Sequence, residues 1–160
     1  PAIPWPTRWR FKLRQGVKFH NGNDFNADDV LFSAERVKSD GSDLKTRFPD
    51  GTKFVKVDNY TVDVVLTAPN PILHAEWATW HMIDKEWAEA NDSVKVTSAS
   101  DQNASFISLN ANGTGAFKLS SHEAGVKTVF ESNSSWWDSG NKKHNLDKVE
   151  FSTEVKISTV

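Results

Sequence analysis

Only one stretch of this 160-residue chain reads as a long amphipathic helix, and that narrows the folds open to it. Asn26 is a good N-cap, and Asp29 three residues on completes a variant of the capping box. Asp28 and Asp29 stand in the first turn, where the helix dipole favours negative charge. Ala27, Val30, Leu31, Ala34 and Val37 recur at helical spacing, Arg36 and Lys38 fall in the last turn, and Gly41 lies just beyond. Elsewhere the apolar residues come in short runs broken by turn formers. Arg8 to Leu13 alternates basic and apolar side chains, the period of a half-buried strand. Lys53 to Val57 and Tyr60 to Thr67, joined at Asp58-Asn59, predict a hairpin; Phe54, Val55 and Val57 supply the apolar positions of its first arm. Ala116 to His122 and Lys127 to Glu131, around Glu123-Ala124-Gly125, predict a second hairpin, and Leu146 to Val155 a last strand. Asp84 to Ala90 predicts a short helix and residues 91–105 a polar loop. Hairpins with few helices imply an α+β fold on a small, mainly antiparallel sheet.

Composition removes several function classes. The 19 Lys and Arg against 21 Asp and Glu leave a formal charge of −2, spread along the chain, which is not the basic stripe of a nucleic-acid binder. No apolar run approaches the roughly 18 residues of a membrane span. Cysteine is absent, so disulfides, thiolate metal sites and cysteine nucleophiles are excluded. That absence fits a periplasmic or secreted bacterial protein and fits a cytosolic one equally. The chain opens at Pro1 with no Met and no leader, and its last residues read as a strand without a closing turn. The first is expected either of a chain whose leader has been removed or of one that begins within a longer protein, and the second of a piece of something longer.

The sequence carries no P-loop, G-x-G-x-x-G, G-x-S-x-G or H-E-x-x-H pattern. His74 and His81 are seven apart; on a continuous helix they would share a face about 10 Å apart, too far for one metal. No metal site and no catalytic residue is expected. Paired acids of a glycosidase leave no mark in sequence spacing, so that possibility stays open.

Seven Trp and ten Phe against one Tyr demand a core or a binding face to hold the rings. Trp77 and Trp80, at i and i+3, form either a helical core stripe or a ligand-facing wall, with His81 beside them. Trp136 and Trp137 cannot both point the same way on a strand, so one is exposed or packs under a loop. Asn112-Gly113-Thr114-Gly115 is a tight turn whose glycines allow close approach to backbone N–H groups. Candidate ligand contacts are therefore Trp80, His81, Asn112 and Thr114.

The run Trp9-Arg10-Phe11-Lys12-Leu13-Arg14-Gln15-Gly16-Val17-Lys18-Phe19-His20-Asn21-Gly22, followed by Phe25-Asn26-Ala27-Asp28-Asp29-Val30, resembles a signature of the family 5 extracellular solute-binding proteins of ABC importers. Asn112 to Leu119 resembles the family's Gly-Thr-Gly-Pro-aromatic strand start, with Ala116 in place of the usual Pro. Asn133 to Trp137 and Leu146 to Val149 match later stretches in the same order. The resemblance implies a single partial domain over residues 1–160, part of the first lobe of a two-lobe periplasmic binding protein-like fold. The N-terminal strands of that lobe and the whole second lobe would lie elsewhere. It also implies capture of a small solute or peptide, delivery to ABC permease subunits in the membrane, a periplasmic or extracellular and possibly lipid-anchored setting, a monomer, and no cofactor. The signature itself is rich in turns and caps and reads as scaffold. A carbohydrate hydrolase, or a carbohydrate-binding module using Trp as stacking platforms, is the alternative.

Overall fold

The computed structural model describes residues 7–97, 105–142 and 145–152. The chain start at Pro1, residues 98–104 of the expected polar loop, His144 and the end of the expected last strand lie outside the described residues. In chain order the elements are β1 (Arg8–Lys12), α1 (Ala27–Lys38), a 3-10 turn (Lys45–Arg47), β2 (Lys53–Asp58), β3 (Thr61–Val65), α2 (Leu73–Glu76), α3 (Lys85–Ala90), α4 (Phe106–Leu109), β4 (Phe117–Glu123), β5 (Lys127–Ser132) and β6 (Lys148–Ser152). They form two antiparallel three-stranded sheets, ordered β1-β3-β2 and β4-β5-β6. The α+β architecture and both hairpins are therefore as the periodicity predicts.

In the first sheet, Trp9 and Phe54 flank Val64, while Phe11 pairs with Val62. Pleating sends these side chains to one face, where α1 and the segment after β3 cover them. Val37, Phe48, Val64, Leu66, Leu73 and Trp77 are the buried centre of that core. The other face is polar except at β2 and at Val65 of β3. Phe54 points inward, but Val55 and Val57 lie on the open side of this edge strand and are exposed, because alternation cannot bury residues 54, 55 and 57 together. On the central strand the buried Asp63 is clamped by Arg10, whose Nε and Nη2 donate to its two oxygens at 2.6 and 2.9 Å, and by Arg8 at 3.1 Å. The Arg10 guanidinium holds the Asp63 carboxyl below the usual carboxylate range.

Helix α1 starts as its sequence predicts. Asn26 Oδ1 accepts from Asp28 N–H at 2.7 Å, and Asp29 Oδ2 accepts from Asn26 N–H at 2.9 Å. Its buried face includes two polar residues the apolar pattern passes over. Asp29 Oδ1 accepts from Lys85 N–H at 3.0 Å, and Ser33 Oγ accepts from Ile83 N–H at 2.8 Å. These bonds fasten the start of α3 to α1. Trp77 and Trp80 do not sit on a helical stripe, because α2 is a single turn capped at Trp77. Trp77 is core: it stacks on Phe48 at 4.6 Å and donates through Nε1 to the Arg47 carbonyl at 2.9 Å.

Candidate functional site

The two sheets meet where the turn at residues 20–23 receives the turn at 112–115. His20 N–H donates to the Gly113 carbonyl at 2.8 Å. The His20 ring answers on both nitrogens: Nδ1 accepts from Gly113 N–H at 3.2 Å, and Nε2 donates to the Gly115 carbonyl at 3.1 Å. This pair of bonds specifies the neutral Nε2–H tautomer. Burial, with a smaller push from Lys118, holds the imidazole below its ordinary pKa despite the Gly115 bond. Gly22 takes φ +100° to let the turn close, a conformation costly for a residue with a Cβ.

Beneath the junction sits Asp84, fully buried at 0 % exposure. One of its oxygens, Oδ2, accepts from the side-chain amides of Asn21, Asn23 and Asn112 at 2.8, 2.9 and 2.8 Å. Its other oxygen caps α3 by accepting from Trp87 N–H at 3.0 Å. Asn112 Oδ1 in turn accepts from Asn21 N–H at 3.0 Å. The two turns and α3 thus share one carboxylate.

A cavity of about 600 Å³ opens beside this junction, within the range of small-molecule sites. Trp80, His81 and Met82 form one wall. Arg14, Val17, His20 and Phe25 form another. Thr114, Phe117, Leu119, Phe130 and Trp137 come from the second sheet and its loops. Three of the four sequence candidates, Trp80, His81 and Thr114, are brought together here although Thr114 stands more than thirty residues from the other two. Asn112 is not among the lining residues, because its amide is spent on Asp84 and Asn21. Trp80 serves both sides of the choice between core and wall. Its ring meets Phe48, Phe54 and Trp77 edge-on at 5.0, 5.7 and 5.4 Å, and it also faces the cavity. With Phe25 and Met82 it separates this cavity from a smaller apolar one, about 290 Å³, over the first sheet.

Sequence reasoning did not single out Arg14 and Trp137 as site residues. The Arg14 guanidinium lies over the Trp137 ring, 4.2 Å from its centroid, joining residues 123 positions apart. Trp137 is the exposed member of the Trp136–Trp137 pair, which packs edge-on in a turn and not on a strand. Among the described residues, Asp29, Asp84 and Glu86 bring carboxylate oxygens within 4.8 Å of one another. Those of Asp29 and Asp84 already accept N–H groups, and burial raises the Asp29 carboxyl above its ordinary pKa. Their present partners make this cluster a fastening.

This antiparallel α+β body with its second sheet matches part of the fold of periplasmic binding proteins. The model of bacterial extracellular solute-binding proteins, family 5 Middle, matches residues 6–155, and the chain belongs to that family. The dipeptide-binding protein of Escherichia coli K12 is 28% identical over 168 residues, covering 90% of this chain and 29% of its own length. The substrate-binding protein CtaP of Listeria monocytogenes superposes with a TM-score of 0.76 at 24% identity, over 92% of this chain and 29% of its own. DppA of Helicobacter pylori, solved in complex with the peptide STSA, gives 0.71 at 23%, over 96% of this chain and 32% of its own. The chain thus spans about a third of the length of these relatives. Among the described residues no helix is long and apolar enough to cross a membrane.

Proposed function

We propose that the chain is part of the first lobe of an ABC-importer receptor that captures a small solute, a short peptide above all, and hands it to a membrane permease. The observation that carries this is the cavity shared by Trp80, His81 and Thr114 in a chain of the family 5 solute-binding proteins. Its wall mixes flat rings with a few polar groups, which suits the mixed surface of a peptide. Binding would proceed by closure of a second lobe over the solute, a hinge motion without covalent chemistry. The setting is periplasmic or extracellular, with a lipid anchor as one means of retention, and the receptor acts as a monomer. The family is one of binding proteins, and catalysis is not part of this reading. The carbohydrate hydrolase and carbohydrate module draw no support from the family or the relatives named above.

The test is a titration of the full-length two-lobed receptor that contains this chain, ¹⁵N-labelled at tryptophan, with trialanine, maltotriose and nickel–histidine, followed at the Trp80 and Trp137 indole N–H groups. Saturable shifts with trialanine are expected. Shifts with maltotriose alone would restore the carbohydrate alternative, and silence with all three would end the receptor assignment. Trp80→Ala should abolish the trialanine response at the Trp137 indole while costing roughly 2–3 kcal/mol of stability, less than the roughly 3–5 kcal/mol of a fully buried ring. One side of the indole faces the cavity. A variant that melts much lower yet still binds trialanine would remove Trp80 from the site.

A further inference from the structure

Asparagine is a thermolabile residue, most of all before glycine, where no Cβ shields the backbone nitrogen that can close on the asparagine Cγ. The chain has two Asn-Gly dipeptides, Asn21-Gly22 and Asn112-Gly113, and both stand in the turns clasped on Asp84. In the fold every group that the reaction needs is tied. The Gly22 N–H donates to the Phe19 carbonyl at 2.9 Å, and the Gly113 N–H to His20 Nδ1 at 3.2 Å. Both asparagines donate through Nδ2 to Asp84 Oδ2 at 2.8 Å. Asn21 Oδ1 accepts from Asn23 N–H, and Asn112 Oδ1 from Asn21 N–H, each at 3.0 Å. An amide held at both ends cannot swing its Cγ over the next backbone nitrogen without breaking those bonds.

We propose that Asn21 and Asn112 are self-modification sites that the Asp84–His20 clasp keeps silent, and that opening the clasp converts them irreversibly to acids. At position 112 the Gly113 nitrogen bonds to Asn112 Cγ as the Cγ–Nδ2 bond breaks. The proton it gives up leaves with the amide as ammonia, and water then opens the cyclic imide to aspartate or isoaspartate. The product sets a carboxylate where Asp84 Oδ2 now accepts an N–H at 2.8 Å. Two carboxylates so close cannot both stay ionised, so the clasp does not reclose in its present form. Gly113 and Thr114 line the cavity, so its wall changes with the turn.

The experiment incubates the full-length receptor that contains this chain in mildly alkaline buffer, folded or unfolded in urea. Peptide mapping by mass spectrometry reads amide-to-acid conversion at each asparagine. Asn21 and Asn112 should both convert in urea, and both should be slower in the fold by about tenfold or more, the protection of a local opening. Asn23 sits on the same carboxylate but precedes Asp24, and should keep its amide over the same interval. His20→Ala takes the acceptor from the Gly113 N–H and leaves the Gly22 N–H on Phe19. It should therefore speed Asn112 over Asn21 in the folded receptor, a selectivity that general loosening does not give. Should that variant not fold, the comparison of folded with urea-unfolded receptor decides. Asn112→Asp should melt below the unmodified receptor. Equal rates in urea and in the fold overturn the proposal. So does slower conversion of Asn112 in His20→Ala, which would make the ring a base that drives the attack, and so does equal acceleration at both sites. Unchanged melting of Asn112→Asp overturns the claim that conversion unlatches the clasp.

Discussion

Replacing Asp84 by Asn tests whether one carboxylate holds the two turns and α3 together. The side chains are nearly isosteric, so packing is preserved and only hydrogen bonding changes. Asp84 has no exposed surface, and its oxygens take four N–H donors at 2.8–3.0 Å. An amide has one oxygen. Turned toward the three asparagines, it sets its NH₂ against Trp87 N–H and loses the cap, about 1 kcal/mol. The three remaining bonds also lose their charge assistance, which makes such bonds roughly twice as strong. Turned the other way, it opposes three amide donors with an NH₂ group. Two of the three asparagines cannot answer by flipping. Asn21 Oδ1 is held by Asn23 N–H and Asn112 Oδ1 by Asn21 N–H, both at 3.0 Å. Asp84→Asn should therefore cost about 2–4 kcal/mol, tempered because the asparagines are not fully buried and can be rehydrated. At about 2–4 °C per kcal/mol for a chain of this size, melting falls by roughly 5–15 °C. Asp24→Asn is the control. That carboxylate is exposed and pairs with Lys18 on the surface, so its loss should cost under about 1 kcal/mol. Calorimetry or circular dichroism reads the melting, and amide exchange at Asn21, Asn112 and Gly113 reads the local loosening. A drop below about 1 °C with unchanged exchange would refute the view of Asp84 as the shared anchor.

Two further outcomes follow from neighbouring groups. The folded state holds His20 neutral below its ordinary pKa, so the unfolded chain binds the extra proton first as pH falls. The stability His20 contributes is full above the ordinary value near 6.5 and declines as pH drops from there toward the folded value. Urea midpoints at about pH 7.5 and about pH 5 should differ more for the unmodified chain than for His20→Gln. That comparison cancels the opposite slope contributed by Asp29, and equal differences would contradict the neutral clasp. Asn26→Ala removes the α1 cap and should cost roughly 0.5–2 kcal/mol without weakening any peptide binding. Weaker peptide binding at unchanged melting would move the signature from scaffold to site.

What could be read from the chain alone was whatever depends on near neighbours. The Asn26–Asp29 cap spans three residues, and the alternation of Trp9 and Phe11 spans two, so α1 and β1 follow from local spacing, as the hairpins follow from the short turns between their arms. The family signature lies in the same kind of local block, turn beside cap beside helix. Spacing also shows that Trp80 and His81 lie together, but it cannot say what stands opposite them. The tertiary structure decided that, because the cavity is closed by groups far apart in the chain. Arg14 meets Trp137, His20 meets Gly113 and Gly115, and Asp84 gathers amides from positions 21, 23 and 112. An Asn in a turn carries the same local signal whether its amide faces water or a buried carboxylate. Only packing removes the water, and with it the ambiguity: Asn112 becomes a fastener and Thr114 a wall.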